Sequence, residues 1–354
     1  MRGALLLLIL ALALTGCEPV SDLKRDQELV LFPTVARRST DDRGWDLDIH
    51  GCVFESDKHR LALAVLRQTL VLRNIHLTDA ENAMLAQRAR LFMVDHERDK
   101  HIVIQVGARK FKLSKSGPDG QVVGYIHIKD GDLKEGPGAT LAIRAVLHSR
   151  DTRVFASQVS LLGSAGVTVI SDIDDTIKIT NVRDRNATLR NTFLEPFRPV
   201  PGMAEVYQAW VGRAKADFCY VSASPWQLFQ PLADFVRSNG FPGGAFYLKQ
   251  FRWKDESLFN LFESPEKYKP QVIEPLLRHF PNRHFVLVGD SGERDPEIYG
   301  ALARNFPKQV THIFIRDVSN EPADTERYRA AFRDLPPGIW QIFHDPSEIA
   351  GALP

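Results

Sequence analysis

The sequence predicts an α/β chain: a doubly wound parallel sheet preceded by a small, mostly antiparallel β domain. Two observations carry this. After Gly163-Ser-Ala-Gly166, strand candidates alternate with helical stretches, the pattern of a parallel sheet covered on both faces. Before that point, β-forming runs follow one another between Gly, Pro and Asp turns. At 354 residues, 44% apolar and 25% charged, the chain is long enough for roughly two such units. Its formal net charge of +1 shows no basic excess, which argues against nucleic acid as the main partner.

Met1-Arg2-Gly3 opens the chain, and the apolar run Ala4 to Leu14 has the length of a signal peptide, too short to span a bilayer. Leu14-Thr15-Gly16-Cys17 resembles the bacterial lipobox. That resemblance makes residues 1–17 a lipoprotein signal peptide, Cys17 the lipidation site, and the bacterial cell envelope the location. Acyl chains on Cys17 would anchor the protein to a membrane without a spanning helix. Glu18 stands where an Asp would signal retention, so the outer membrane, facing the periplasm, is favoured. A plain secretory peptide is the alternative.

Residues 18–27 are polar and charged and read as a tether. Residues 28–160 read as a β-rich, sandwich-like domain. Its strand signals are Leu47, Ile49 and Val53 around Gly51, then His101–Val106, Phe111–Leu113, Val122–Ile128, Leu141–Val146 and Val154–Val159. Two helical segments interrupt them, Lys58 to Leu72 and Asp79 to Arg90. No metal or nucleophile constellation lies here, and the eleven histidines are scattered without the spacing of zinc ligands. Apart from Cys17, only Cys52 and Cys219 remain. An oxidising compartment would permit a bridge. Cys219, however, sits in the core-strand pattern Asp217–Val221, so none is expected.

Residues 161–354 carry strand candidates at 167–172, 218–222, 285–290 and 312–317. Helices are expected at Pro201–Ala214, Pro225–Asn239, Pro270–His279 and Pro296–Asn305, with Gly240 as a C-cap. Four segments carry chemistry. In the first, an apolar run ends in Asp172-Ile-Asp174-Asp175-Thr176, and residues two apart on a strand face the same way. Two carboxylates thus converge just past a strand end, where open α/β sheets bind ligands. Alone, this is equally well an acidic turn. In the second, Phe218–Val221 ends in Ser222-Ala-Ser224-Pro225, placing hydroxyls beside a helix N-terminus, where a phosphoryl oxygen is readily bound. The third is Lys269, expected at the start of a helix, against the helix dipole. The fourth is Phe285–Gly289 followed by Asp290 and, five residues on, Asp295. Carboxylates facing one another across two strand ends repel unless a hard cation joins them, and Mg²⁺ suits such an oxygen-rich site. An EF-hand reading of Asp172–Thr176 fails, because Ile177 occupies the position that needs Gly and no Glu stands at the twelfth.

Taken together and in this order, the four segments resemble the haloacid dehalogenase (HAD) superfamily, whose motifs are Asp-x-Asp-x-Thr, a strand-end Ser, a Lys, and Gly-Asp-x4-Asp. The surrounding residues Ile170–Lys178, Val221–Trp226 and Gly289–Tyr299 are similar to the catalytic domain of the actin-patch-protein phosphatidate phosphatases, relatives of the lipins. The likeness covers roughly residues 160–345.

The resemblance implies a Mg²⁺-dependent phosphatase that turns phosphatidate into diacylglycerol. In it Asp172 is the nucleophile and forms an aspartyl-phosphate, Asp174 is the general acid and base, and Lys269 steadies the phosphoryl oxygens. Thr176, Ser222, Ser224 and Lys269 would bind substrate. Asp172, the backbone carbonyl of Asp174 and Asp290 would hold the metal, with Asp295 a direct or water-mediated ligand. Asp175 points to the other side of the strand and is expected to be structural. Insertions of roughly 45 residues between the motifs leave no room for a large cap, so the site should be open to an anionic phospholipid. Arg183, Arg185, Arg190 and Arg198, and Lys249, Arg252 and Lys254 with Phe251 and Trp253, are candidates to meet such a surface. A phosphatase of soluble phosphomonoesters and an inert lipoprotein on the same scaffold are the alternatives.

Overall fold

The computed structural model describes residues 19–55, 63, 67–68, 76–250 and 265–353. The signal segment with Cys17, most of the helix expected from Lys58 to Leu72, and Phe251, Arg252, Trp253 and Lys254 lie outside the described residues. Among the described residues, no helix is long and apolar enough to cross a membrane.

Among the described residues, nine strands form the first sheet: β1 (Gln27–Leu31), β2 (Thr34–Arg38), β3 (Gly44–Glu55), β4 (Asp95–His96), β5 (His101–Val106), β6 (Arg109–Lys115), β7 (Gln121–Lys129), β8 (Thr140–Ala145) and β9 (Ala156–Leu161). Their order is β1-β3-β2-β9-β8-β5-β6, with β4 and β7 also paired to β3. The pairings are antiparallel except for β2 with β9. Strand β3 explains how this sheet is joined to the next. Up to Ile49 it alternates, with Trp45, Leu47 and Ile49 inward and Asp46 and Asp48 outward. From Gly51 onward both its faces are covered: Val53 joins the first core, whereas Cys52 and Phe54 enter a second one. Helix α1 (Asp79–Ala89), opened by a Thr78/Glu81 capping box, also packs on that second core through Leu85 and Ala89.

Six parallel strands form the second sheet: β10 (Ala165–Ser171), β11 (Asp217–Pro225), β12 (Ala245–Lys249), β13 (Asn282–Asp290), β14 (Val310–Arg316) and β15 (Trp340–Phe343). The order is β12-β11-β10-β13-β14-β15. The direction of winding reverses between β10 and β13, and this is where open α/β sheets bind ligands, beyond the carboxyl ends of the strands. Alternate residues serve opposite faces. Val169, Tyr220, Val286 and Phe314 pack with Tyr207 and Trp210 of α3 (Met203–Ala214) and Leu232 and Phe235 of α4 (Phe229–Ser238); a short helix, α2 (Arg185–Leu189), precedes them. Ile170, Cys219, Leu287 and Ile313 pack with α5 (Pro265–His279), α6 (Asp295–Asn305) and α7 (Glu326–Ala331). Cys52 and Cys219 are thus buried free thiols in different cores.

Two helix starts differ from expectation by four residues or more. Helix α5 begins at Pro265, not Pro270, and keeps Pro270 and Pro275 inside it. An interior Pro costs roughly 3 kcal/mol, but burying Ile273, Leu276, Leu277 and Phe280 returns about 1.5–3 kcal/mol each. Packing therefore wins, and Lys269 sits a full turn inside the helix. The helix expected from Pro225 starts at Phe229, because β11 continues to Pro225 through a register shift between Ser222 and Pro225. Gly240 does end α4 as expected. With φ +74°, it donates to the Arg237 carbonyl while Phe241 donates to that of Val236, a Schellman closure.

The two sheets share contacts around Trp226, which lies 6.2 Å from Phe32 and 5.8 Å from Phe54 by ring centroid. Arg88 of α1 donates to the carbonyls of Thr192 and Glu195 at 2.7 Å. At the amino end of the second sheet, buried Arg283 donates to the carbonyls of Gly163, Ala165 and Val167 and pairs with Asp217.

Candidate active site

Strand β10 delivers Asp172 one residue past its end, and the Asp172 N–H still donates to the Val288 carbonyl of β13 at 2.8 Å. Strand β13 itself ends in Asp290. The chain then turns sharply after Asp174. Asp175 adopts φ +55°, and its carboxylate accepts from the N–H groups of Thr180, Asn181 and Val182 at 2.7–2.8 Å. Asp175 therefore clamps the loop and does not face the other carboxylates.

Two polar compartments result. The first gathers Asp172, Asp290 and Asp295, whose carboxylate oxygens lie within 4.8 Å of one another and are all buried. Lys269, 0% exposed, reaches into this group. Its Nζ lies 3.0 Å from Asp172 Oδ1 and 3.2 Å from Glu293 Oε2, and it forms a short ion pair with Asp295. Thr176 donates to Asp172 Oδ2 at 3.1 Å. Asp290 Oδ1 accepts from the Gly292 N–H at 2.6 Å, fixing the loop that follows β13. Asp295 comes this close only because residue 289 is Gly; a Cβ there would stand 2.2 Å from Asp295 Oδ2.

The second compartment surrounds Asp174. Its Oδ1 is paired with buried Lys178 at 2.7 Å and accepts from Thr180 at 2.8 Å. Its Oδ2 accepts from Ser222 at 3.0 Å and Ser224 at 2.7 Å. Lys178 also stands over the Phe197 ring, 4.8 Å from its centroid.

Electrostatics separate the two groups. Burial works against the charge on Asp174, but Lys178 and the hydroxyl donors outweigh it and hold the carboxyl down at about 2. In the first compartment, burial pushes Asp172 and Asp290 well above the usual carboxylate range, and Asp295 and Glu293 add to the rise. Burial likewise raises Glu293 to about 7. Four carboxylates against one ammonium are more anionic than a dry site tolerates. Asp290 Oδ2 is buried without a hydrogen-bond partner, and Asp172 Oδ1 meets only the Lys269 ammonium, at 3.0 Å. A buried, all-oxygen donor set with an unsatisfied carboxylate oxygen fits a hard divalent cation.

The expected site residues fall into these compartments as follows. Asp172, Lys269, Asp290 and Asp295 come together, with Thr176 orienting Asp172. Ser222 and Ser224, expected to bind substrate, both donate to Asp174; they lie on the part of β11 that runs beyond its last pairing with β10, Ser171 with Tyr220. Sequence reasoning missed Glu293, Lys178 and Thr180. For Glu293 the signal was a third acid between Asp290 and Asp295; for Lys178 it was a Lys inside an apolar run, four residues after Asp174. Of the surface basics, Arg190 is engaged by Glu81 and Glu195, and Arg198 is exposed.

This acidic cluster with a buried Lys at the point of strand reversal is where a comparison becomes informative. Residues 167–317 match the family described as Phosphatidate phosphatase APP1, catalytic domain. The match contains all the residues of both compartments. A Saccharomyces cerevisiae protein named Phosphatidate phosphatase APP1 is 41% identical over 162 residues, which are 45% of this chain and 27% of the yeast protein. An uncharacterized Schizosaccharomyces pombe protein is 32% identical over 183 residues, 51% of this chain and 30% of its own length. The aligned segments thus span less than a third of either relative.

Proposed function

We propose that this chain is a Mg²⁺-dependent phosphatase of the HAD type acting on a phosphatidate-like lipid. The observation that carries the proposal is the convergence of Asp172, Asp290 and Asp295 with Lys269 at the sheet's reversal point, inside the segment that matches the APP1 catalytic domain. In this reading Asp172 attacks phosphorus, an aspartyl-phosphate forms and the alkoxide leaves with a proton from Asp174. Water then attacks the aspartyl-phosphate, and Asp174 accepts its proton. In the arrangement described, Asp174 is an acceptor only. To donate, its carboxyl has to gain a proton and turn away from Lys178, Ser222 and Ser224. Lys269 meets the charge that develops on the transferring oxygens. A Mg²⁺ ion held by Asp172, Asp290 and Asp295 supplies charge neutralisation when bound.

The test is phosphate release from dioleoyl phosphatidate in mixed micelles, with Mg²⁺ or with EDTA, beside p-nitrophenyl phosphate. Mg²⁺-dependent release favouring the lipid is expected. Release from the aryl ester alone would discard the lipid while keeping the phosphatase, and no release from either would leave the inert-scaffold alternative.

Cation binding has a second readout. A carboxyl whose pKa is raised by folding holds its proton more tightly in the native state. Its contribution to stability therefore falls as pH rises from its unfolded value, about 4.3 for Glu, toward the folded value of about 7 for Glu293. Asp172 and Asp290 act in the same direction. A cation held by Asp172, Asp290 and Asp295 would favour the ionised form of these carboxyls and of the neighbouring Glu293, and so offset the loss. The melting temperature in EDTA should thus decline from pH 5 to pH 8, and Mg²⁺ should raise it more at pH 8. An equal Mg²⁺ effect at both pH values would count against the site.

A further inference from the structure

Lys269 has three anionic partners, and they are not equivalent. Asp172 and Asp295 belong to the cluster of oxygens that fits a cation, whereas Glu293 does not. A cation seated among Asp172, Asp290 and Asp295 would compete with Lys269 for the Asp172 and Asp295 carboxylates. Glu293 then remains as the ammonium's dedicated partner, with Nζ to Oε2 at 3.2 Å. A four-carbon lysine stem with three rotatable donors has no fixed direction of its own, so its aim comes from what holds its head.

Glu293 is itself held firmly. Its N–H donates to Asp290 Oδ1 at 3.3 Å, and its carbonyl accepts from Arg327 Nη2 at 2.5 Å. Arg327 also donates to the Ser291 carbonyl at 2.7 Å and is braced by Glu297 at 3.0 Å. The loop between β13 and α6 is thereby tied at both ends of the short Ser291–Glu293 stretch. Asp290, a cation-site residue, is one of those ties. The loop that shapes the cation site also sets where the Glu293 carboxylate stands.

We infer that Glu293 is a positioning residue for Lys269, keeping the ammonium aimed at the transferring phosphoryl group once Asp172 and Asp295 are engaged by the cation. The inference rests on the phosphatase reading above. It assigns Glu293 no ligation of the cation and no contact with substrate. Because the carboxylate acts as a hydrogen-bond acceptor, an amide oxygen in the same place does the same work.

The test compares Glu293→Ala and Glu293→Gln with the wild-type chain by turnover of p-nitrophenyl phosphate and by calorimetric titration with Mg²⁺ and with inorganic phosphate. Glu293→Ala should lower kcat roughly 10- to 100-fold and weaken phosphate binding about tenfold. Glu293→Gln should stay within about threefold of wild type in kcat, and Mg²⁺ affinity should weaken equally in the two variants and by less than about tenfold, since both remove the same neighbouring charge and neither removes a ligand. Weakening of Mg²⁺ binding by tenfold or more would overturn the inference, since Glu293 would then be a ligand. Wild-type phosphate affinity and kcat in Glu293→Ala would overturn it too. If Glu293→Ala does not fold, Glu293→Asp, one methylene shorter, takes its place with the same expected losses. Absence of wild-type turnover would defeat the phosphatase reading, and the Mg²⁺ and phosphate titrations would then judge Glu293 alone.

Discussion

Replacing Asp172 by Asn is expected to stop phosphate release while leaving the protein at least as stable as before. An amide of the same size cannot form the aspartyl-phosphate, and removing a nucleophile costs on the order of 10⁴-fold or more in turnover. The stability effect has the opposite sign for a physical reason. Asp172 is buried with Asp290, Glu293 and Asp295 around one ammonium, and burial already disfavours its charge. The substituted amide keeps an oxygen for the Thr176 hydroxyl, and Lys269 keeps Asp295 and Glu293. In EDTA the variant should therefore match or exceed the wild type, by about 1 kcal/mol or more. Urea unfolding at pH 7.5 beside the phosphate assay checks both halves. Turnover within tenfold of wild type would remove Asp172 as nucleophile. A variant that is inactive because it has unfolded would show a lowered urea midpoint.

Lys178→Met should be among the most damaging single changes to stability in the second sheet. Lys178 and Asp174 are both buried and paired at 2.7 Å. Removing one partner of a buried pair typically costs about 3–5 kcal/mol, because the other charge is left uncompensated. Here the lower end of that range applies, since Thr180, Ser222 and Ser224 still donate to the Asp174 carboxylate. Adding Asp174→Asn to Lys178→Met removes the orphaned charge and should recover a large part of the loss. A double variant less stable than Lys178→Met would show that the pair is not the source. The pair also sets an acid limit. The folded pKa of Asp174 is depressed to about 2, so its stabilisation is present above its unfolded value, about 3.9, and is lost as pH falls through about 2.

Legibility in the sequence followed the range of the interaction that decides each feature. The alternation of strands and helices after Gly166, the antiparallel strands before it and the Gly240 cap were all readable, because local periodicity and turn chemistry set them. Asp172, Asp290 and Asp295 were readable for a related reason: each stands at or shortly after the end of an apolar run, and strand ends are where a parallel sheet exposes function; Lys269 stood out as a lysine set against a helix dipole, whereas Glu293 was not read. The start of α5 was not, because the burial of Ile273, Leu276 and Leu277 overrides two interior prolines. The destination of Ser222 and Ser224 was also hidden, since their contact with Asp174 is made between segments about fifty residues apart, past the end of the β10–β11 pairing.

By itself, then, the chain's sequence determined the α/β class, the order of its strands and helices, and Asp172, Asp290 and Asp295 as strand-end acids, all consequences of short-range patterning. Only the tertiary structure decided which charge faces which. Asp172 meets Asp290, Asp295 and Lys269 because β10 and β13, more than a hundred residues apart in the chain, pair in parallel register; Lys178 turns back on Asp174 and Gly289 makes room for Asp295 because the loops after those strands fold tightly.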